Sequence, residues 1–343
     1  MLKSISDMEE RKKDHIELAF RSRVGKEERD DRFWYEPLLK AHSTEPWTPF
    51  TFLGKTFRVP IWVSSMTGGT RMAHTINHNL ARACGEFGLG MGLGSCRVLL
   101  NDDRAFPDFD VRGVMGDASP LYANLGIAQI EKFCLQKDFS RVKRLVDKLR
   151  ADGLIIHVNP MQESLQPEGD RLTVPPIEVV ACAVEKLGYP VIVKEVGQGM
   201  GPESLKSLFR LPLEAIEFGA FGGTNFARLE LMRTGGREEE LYGPLATVGH
   251  DAVEMVETVN RLLDEDPHPA CRQVIISGGI RNYLDGYALI SSIRLPAVYG
   301  QAGEFLKHAR GSYEELKKYV EWQIRGLQLA RDFLVVKKSL LSD

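Results

Sequence analysis

LIIHVNPMQESLQPEGD, residues Leu154–Asp170, is the stretch on which the fold turns. Leu154, Ile155 and Ile156 make a short aliphatic run of the kind that forms a buried strand, and they carry the chain into His157, Val158 and Asn159. Pro160 stops that strand, because it has no N–H to give a sheet. Beyond it stand Gln162, Glu163, Gln166, Glu168 and Asp170, a dense set of amide and carboxylate side chains. In barrels of alternating strands and helices the strand C-termini carry the chemistry. Gln162 and Glu163 are therefore candidates to face a ligand and a divalent cation. The competing interpretation is a solvated connector, and the remainder of the chain decides between them.

Upstream, Ile61-Trp62-Val63 runs into Ser64-Ser65-Met66-Thr67-Gly68-Gly69, and Leu89 to Leu93 runs into Gly94-Ser95-Cys96-Arg97. Leu121-Tyr122-Ala123 leads to Asn124-Leu125-Gly126. Downstream, Val191-Ile192-Val193 ends at Lys194-Glu195-Val196-Gly197, and Ala215 to Phe218 ends ahead of Gly222-Gly223-Thr224-Asn225. Val274-Ile275-Ile276 ends at Ser277-Gly278-Gly279-Ile280, and Ala297-Val298-Tyr299 at Gly300-Gln301-Ala302-Gly303. Helical spacing fills most of the gaps: Thr75 to Phe87, a span running to Ala151, Pro175 to Lys186, Asp251 to Leu263 and Tyr313 to Phe333. Strands alternating with helices imply a parallel sheet, and eight such units close into an α/β (β/α)8 TIM barrel. A doubly wound open sheet is disfavoured, since no G-x-G-x-x-G follows the first strand.

Residues 59–343 are thus expected to be the barrel, and residues 1–58 an N-terminal arm belonging to the same structural domain. The arm is charged from Glu9 to Glu17, which suggests a solvated segment, and Leu53 to Val59 is expected to make a strand or hairpin that plugs one barrel end. The formal charge of −3, with no long basic tract, argues against nucleic acid as a partner. No run approaches the length of an apolar membrane span, and MLKSISDMEERKKDH is too charged for a secretion signal. Cys84, Cys96, Cys134, Cys182 and Cys271 show no paired spacing, as expected of reduced thiols in a cytoplasmic protein.

The strand ends share a chemistry. Ser277-Gly278-Gly279 and Gly300-Gln301-Ala302-Gly303 follow strands seven and eight, where this barrel usually cradles phosphate; turn glycines are the alternative. Lys194, at the end of an apolar strand, suits a Schiff base, a flavin's electron-rich edge or a phosphate, unless it pairs with Glu195. Asn124, Ser95 and Thr224 add neutral hydrogen-bonding groups around the same mouth, a ring suited to a planar heterocycle such as flavin. His74 and His78, at i and i+4, lack a carboxylate at metal-site spacing, so a packed or surface role is expected. Cys96 is expected to be a buried thiol and not a nucleophile.

On these residues the chain resembles the type 2, flavin-dependent isopentenyl-diphosphate isomerases. RKKDHI at 11–16, MTGG at 66–69, NLG at 124–126, HVNPMQE to EGD at 157–170, VKEVG at 193–197, GGT at 222–224 and SGGIR at 277–281 recur in that family's order. The resemblance implies FMN seated by Met66, Thr67, Gly68, Ser95, Asn124, Lys194 and Thr224, with its phosphate on Gly278, Gly279, Ala302 and Gly303. It implies a prenyl diphosphate gripped by Arg11, Lys12 and Arg97, with His15, Ser95, His157, Asn159 and Gln162 about it and the N-terminal arm capping it. Gln162 matches the catalytic-site glutamine, Glu163 the Mg2+ ligand and Glu230 a carboxylate near the reactive face.

The implied reaction converts isopentenyl to dimethylallyl diphosphate through reduced flavin, with NADPH as reductant and no net redox change. A homo-oligomer, tetramer or octamer, is expected. There are departures from the family pattern. Cys96 replaces Gln or Met, Phe226 replaces Trp, and Gly303-Glu304 replaces Arg-Pro, leaving Arg281 as the cation to compensate. Two competitors are an FMN-dependent α-hydroxy acid oxidase and a non-catalytic prenyl-diphosphate-binding barrel. The former needs a histidine base beside an arginine clamp, and no strand-end His–Arg pair appears late in the chain.

Overall fold

The computed structural model describes residues 5–65 and 71–337. Helix α1 (Ile5–Leu18) opens the chain, followed by strand β1 (Phe33–Tyr35) and the hairpin β2 (Phe50–Phe52) and β3 (Lys55–Phe57). The barrel then begins with β4 (Ile61–Val63), α2 (Arg71–Phe87), β5 (Gly90–Gly92), the short α3 (Phe106–Phe109) and α4 (Arg112–Met115), and β6 (Leu121–Gly126). Next come α5 (Ile127–Gln136), α6 (Ser140–Lys148), β7 (Gly153–His157), α7 (Pro160–Leu165), α8 (Pro176–Leu187) and β8 (Val191–Lys194). α9 (Pro202–Phe209), β9 (Ala215–Glu217), α10 (Phe226–Thr234), α11 (Gly236–Tyr242), α12 (Ala252–Glu265) and β10 (Val274–Ser277) follow. The chain closes with α13 (Tyr283–Ser292), β11 (Ala297–Gln301), α14 (Gly303–Ala309), α15 (Tyr313–Phe333) and β12 (Leu334–Val336).

Strands β4 to β11 close into a barrel in the order β10-β11-β4-β5-β6-β7-β8-β9, every pair parallel. This is the expected (β/α)8 barrel, with its eight strands on the eight apolar runs. The paired registers fix which residues face the axis, because alternate side chains point to opposite faces. Trp62, Gly90, Tyr122, Ile155, Ile192, Ala215, Ile275 and Val298 point inward and pack together or line the same interior. Hairpin β2–β3 drives Phe52, Leu53 and Phe57 into this cluster from the N-terminal end, with the Phe52 and Phe57 rings 5.4 Å apart edge to face. Its turn is Leu53 (φ 50) and Gly54 (φ 69), the left-handed pair that a tight two-residue hairpin requires. Gly90 makes room for the plug, since a Cβ there would come within 2.7 Å of both Phe57 and Trp62.

The span expected to be helical up to Ala151 is two helices. Lys137 takes a left-handed conformation (φ 53) at the end of α5, and Asp138 Oδ1 accepts the Ser140 N–H (2.8 Å) as α6 begins. Strand β12, which has no counterpart in the strand assignment from sequence, pairs antiparallel with β1 and ties residues 33–35 to the end of α15. The charged arm forms helix α1, with residues 8–18 exposed. Among the described residues no helix is long and apolar enough to cross a membrane.

Candidate active site

Two residues further along each strand the barrel interior changes character. The next inward positions are Ser64, Gly92, Asn124, His157, Lys194, Glu217, Ser277 and Gly300, so an aromatic and aliphatic floor gives way to a polar rim. A cavity of about 270 Å3 opens there, lined by Ser64, Ser65, Lys194, Glu217, Gly278 and Gly303 among others. Lys194 is buried and its Nζ donates to the Glu195 carbonyl (3.0 Å). The Glu195 carboxylate is committed elsewhere. Its Oε2 accepts the backbone N–H groups of Gly197 (2.7 Å), Gln198 (2.6 Å) and Gly199 (2.9 Å), while burial pushes its pKa up. A Lys194–Glu195 side-chain ion pair is therefore not formed.

Asn124 fixes its neighbour's protonation. Its Nδ2 donates to Leu93 O (3.0 Å), which turns Oδ1 toward His157 Nδ1 at 2.8 Å. That nitrogen must then carry the hydrogen, leaving Nε2 as an acceptor. Burial, reinforced by the positive Lys194, pushes the His157 pKa down to about 3, so the ring is neutral.

On the other side of the mouth the backbone comes close. Gly278 (φ 91) packs so tightly on residue 220 that a Cβ would lie 2.1 Å from Ala220 O, and Gly219 N–H donates to Ser277 Oγ (3.0 Å). Segments 219–224, 277–281 and 300–304 thus converge with bare backbone toward the cavity, as anion binding by backbone N–H requires. Thr224, Gly279, Ala302, Gly303 and Arg281 line the same cavity. Arg281 is largely exposed and its Nε lies 3.4 Å from Asp285 Oδ2.

The β7–α7 corner is a single network. Asn159 Nδ2 donates to Gln162 Oε1 (3.1 Å) and Glu163 Oε1 (3.2 Å); Gln162 Nε2 donates to Glu230 Oε1 (3.3 Å). Glu230, buried on α10, also accepts from Arg233 Nε (2.7 Å), and Glu163 Oε2 accepts the Asp170 N–H (2.8 Å). Arg97 reaches this corner through Asp170 (3.5 Å), which also accepts from Lys132 (2.9 Å) and is held at a low pKa chiefly by that lysine. Glu163 presents one carboxylate, and among the described residues no group of three or more His, Cys, Asp or Glu gathers as a metal cage.

The fold brings Asn124, His157, Asn159, Gln162, Glu163, Lys194 and Glu230 to one rim. Ser95 lies exposed in the loop after β5. Arg11, Lys12 and His15 sit on exposed α1, and among the described residues no hydrogen bond or ion pair joins that helix to the barrel. Met66, Thr67 and Gly68 lie outside the described residues. Cys96 is fully buried, with burial pushing its thiol up to about 12, as its expected inertness requires. His74 and His78 pack ring on ring, centroids 4.0 Å apart, with His74 Nδ1 3.1 Å from Pro107 O.

The sequence gives Glu217, Ser64 and Ser65 no site role, yet their side-chain oxygens are buried with no hydrogen-bond partner among the described residues. An acid inside the apolar run AIEF was the available signal.

No family model matches the chain. It is 35% identical over 326 residues to an isopentenyl-diphosphate delta-isomerase of Rickettsia felis, covering 93% of this chain and 91% of the relative. The isomerase of Rickettsia akari is 33% identical over 331 residues, covering 93% and 91%. Among solved structures, a flavocytochrome b2 variant with sulfite bound superposes with a TM-score of 0.60 at 13% identity, covering 91% of this chain and 77% of that one. A mandelate oxidase variant with the monooxide FMN adduct gives 0.56 at 15% identity, covering 90% and 89%. Likeness at these identities is likeness of fold.

Proposed function

We infer the reaction from the premise that the relatives establish: the chain belongs to the isopentenyl-diphosphate delta-isomerase family. It converts isopentenyl diphosphate to dimethylallyl diphosphate, a step of isoprenoid biosynthesis, and within that family we assign it to the FMN-dependent type 2. The observation that carries this assignment is one cavity in which a buried lysine faces a bare-backbone cradle, with the Gln162–Glu230 pair standing beyond β7 and on α10. The residues present fit a phosphate-bearing planar group: a cation on one side, converging glycines on the other, and between them buried side-chain oxygens with no hydrogen-bond partner among the described residues.

Shifting the double bond by one carbon needs a proton delivered to the terminal methylene and another withdrawn from the carbon next to the CH2O group. Bound reduced FMN supplies acid and base for such an exchange, after one reduction by NADPH. Lys194 holds the ring's electron-rich edge by charge, with Asn124, Thr224, Ser95 and the 66–68 segment completing its seat. Gly278, Gly279, Ala302 and Gly303 take the phosphate, with Arg281 alongside. Gln162 orients the reacting carbon chain, and Glu230 fixes Gln162 by accepting its amide hydrogen. Neutral His157 offers an acceptor where an imidazolium would repel bound cations.

Glu163 contributes one carboxylate to Mg2+, which is usually bound by one or two carboxylates together with substrate phosphate oxygens. Asn159 holds Glu163 and Gln162 in register by donating to both. Arg97 takes the diphosphate, and residues 1–58 serve as capping arm and plug, bringing Arg11, Lys12 and His15 over the mouth of the 59–343 barrel. Exposed Trp34, Tyr35, Leu38 and Leu39 are the surface on which copies of the chain associate.

The test is reconstitution. Purified protein mixed with FMN is expected to retain the flavin through gel filtration. With NADPH and Mg2+ in the absence of oxygen it is expected to turn over isopentenyl diphosphate. Flavin-loaded, reduced enzyme that leaves the substrate untouched would reject the assignment.

A further inference from the structure

We propose that Glu217 is the acceptor for the hydroxyl groups of the cofactor's polyol chain, an assignment that rests on the FMN reading above. Glu217 is 1% exposed, and neither carboxylate oxygen has a hydrogen-bond partner among the described residues. Burying an ionised carboxylate without donors is among the most costly arrangements a fold can contain, so a native chain retains one where a ligand completes it. Its direction is fixed by register: it pairs with Lys194 on β8 and with Ile275 on β10, so it points into the barrel with both.

The neighbours do not satisfy it. Lys194 donates to Glu195 O, and no ion pair within 4 Å links Lys194 to Glu217 among the described residues. Ser277 Oγ, the nearest inward hydroxyl on β10, accepts from Gly219 N–H. Ser64 and Ser65, across the same cavity, are themselves buried hydroxyls without partners among the described residues. The cavity therefore holds an unpartnered carboxylate and two unpartnered hydroxyls between a cation and a backbone cradle.

Position names the chemistry. If the ring lies at Lys194 on β8 and the phosphate at residues 278–279 and 302–303 after β10 and β11, the chain joining them must cross the end of β9, where Glu217 stands. That linker carries hydroxyl groups, each able to donate. A carboxylate is an acceptor with several lone-pair sites, and O–H to carboxylate bonds are among the stronger neutral-to-charged pairs.

The experiment titrates apoprotein with three flavins by fluorescence quenching: FMN, riboflavin, which lacks the phosphate, and lumiflavin, which lacks the polyol. Glu217→Gln and Glu217→Leu are expected to weaken FMN and riboflavin by about 10- to 100-fold, the range for hydrogen bonds to a charged acceptor, and to leave lumiflavin within about twofold. The melting temperature of either apoprotein variant is expected to equal or exceed that of the wild type, because the substitution removes a buried acid whose oxygens have no hydrogen-bond partner among the described residues. Equal losses for all three flavins would overturn the proposal by showing that Glu217 acts through the ring or Lys194. Unchanged FMN affinity, or an apoprotein destabilised by both substitutions, would overturn it as well. Wild-type protein that binds none of the three would instead overturn the FMN reading, and this proposal with it.

Discussion

Gln162 illustrates how much one side chain depends on its neighbours. Its amide is held at both ends, Oε1 by Asn159 and Nε2 by Glu230, so its orientation is set before any ligand arrives. Gln162→Ala is expected to leave FMN affinity within about twofold while turnover falls about 100-fold, the usual cost of a misplaced reacting group. A spectroscopic titration and a steady-state assay read the two separately, and equal kinetics would remove Gln162 from the reaction. His157 yields a pH prediction. Its folded pKa is pushed down to about 3, below the ordinary value of about 6.5 that it has in the unfolded chain. Its contribution to stability is therefore complete above about pH 6.5 and is lost as pH falls from there toward 3. His157→Asn should flatten the fall of melting temperature with acidification across that window, and identical slopes would contradict it. Gln162, Glu163 and Lys194 were legible in the sequence because each follows an apolar run at a strand end. Glu217 was not, because whether a strand residue faces the axis is decided by pairing register, which one chain's text does not carry.

The hairpin β2–β3 shows what an element contributes away from the chemistry. Phe57 is fully buried against the inward side chains of the barrel floor. Phe57→Ala is expected to cost about 3–5 kcal/mol of stability, seen as a lower denaturant midpoint with unchanged slope. A shift of only a few tenths would mean the floor is sealed without it. Short apolar runs located the barrel strands and 3.6-residue periodicity most helices, because both survive in a single sequence. It ran α5 and α6 together, since Lys137 adopts its left-handed turn without a glycine to announce it. It passed over β12, whose three residues pair with β1 from the far end of the chain. Helix α1 is a separate case: its charged text read as solvated, and its described side chains are indeed exposed although the backbone is helical.

Across the whole molecule, the packed floor and the polar rim occupy opposite ends of the barrel. Buried Arg112 bonds Arg150 O, Gly116 O, Ser119 O and Asp152 near the N-terminal ends of β6 and β7, while the polar rim lies at the strand C-termini. That division is what lets one barrel combine a rigid floor with a reactive mouth. The order of strand-end motifs made this architecture and the family readable from text alone. The contact of Gln162 with Glu230 and the register that aligns Lys194 with His157 came only with the closed sheet, which joins residues far apart in the chain. The direct measurement is a nuclear magnetic resonance record of isopentenyl diphosphate incubated in deuterated water with the FMN-loaded, NADPH-reduced enzyme and Mg2+. Dimethylallyl diphosphate carrying deuterium in a methyl group is the expected result. Substrate recovered unconverted and unlabelled from fully reduced, flavin-bound protein would contradict the claim that this rim is an isomerase site.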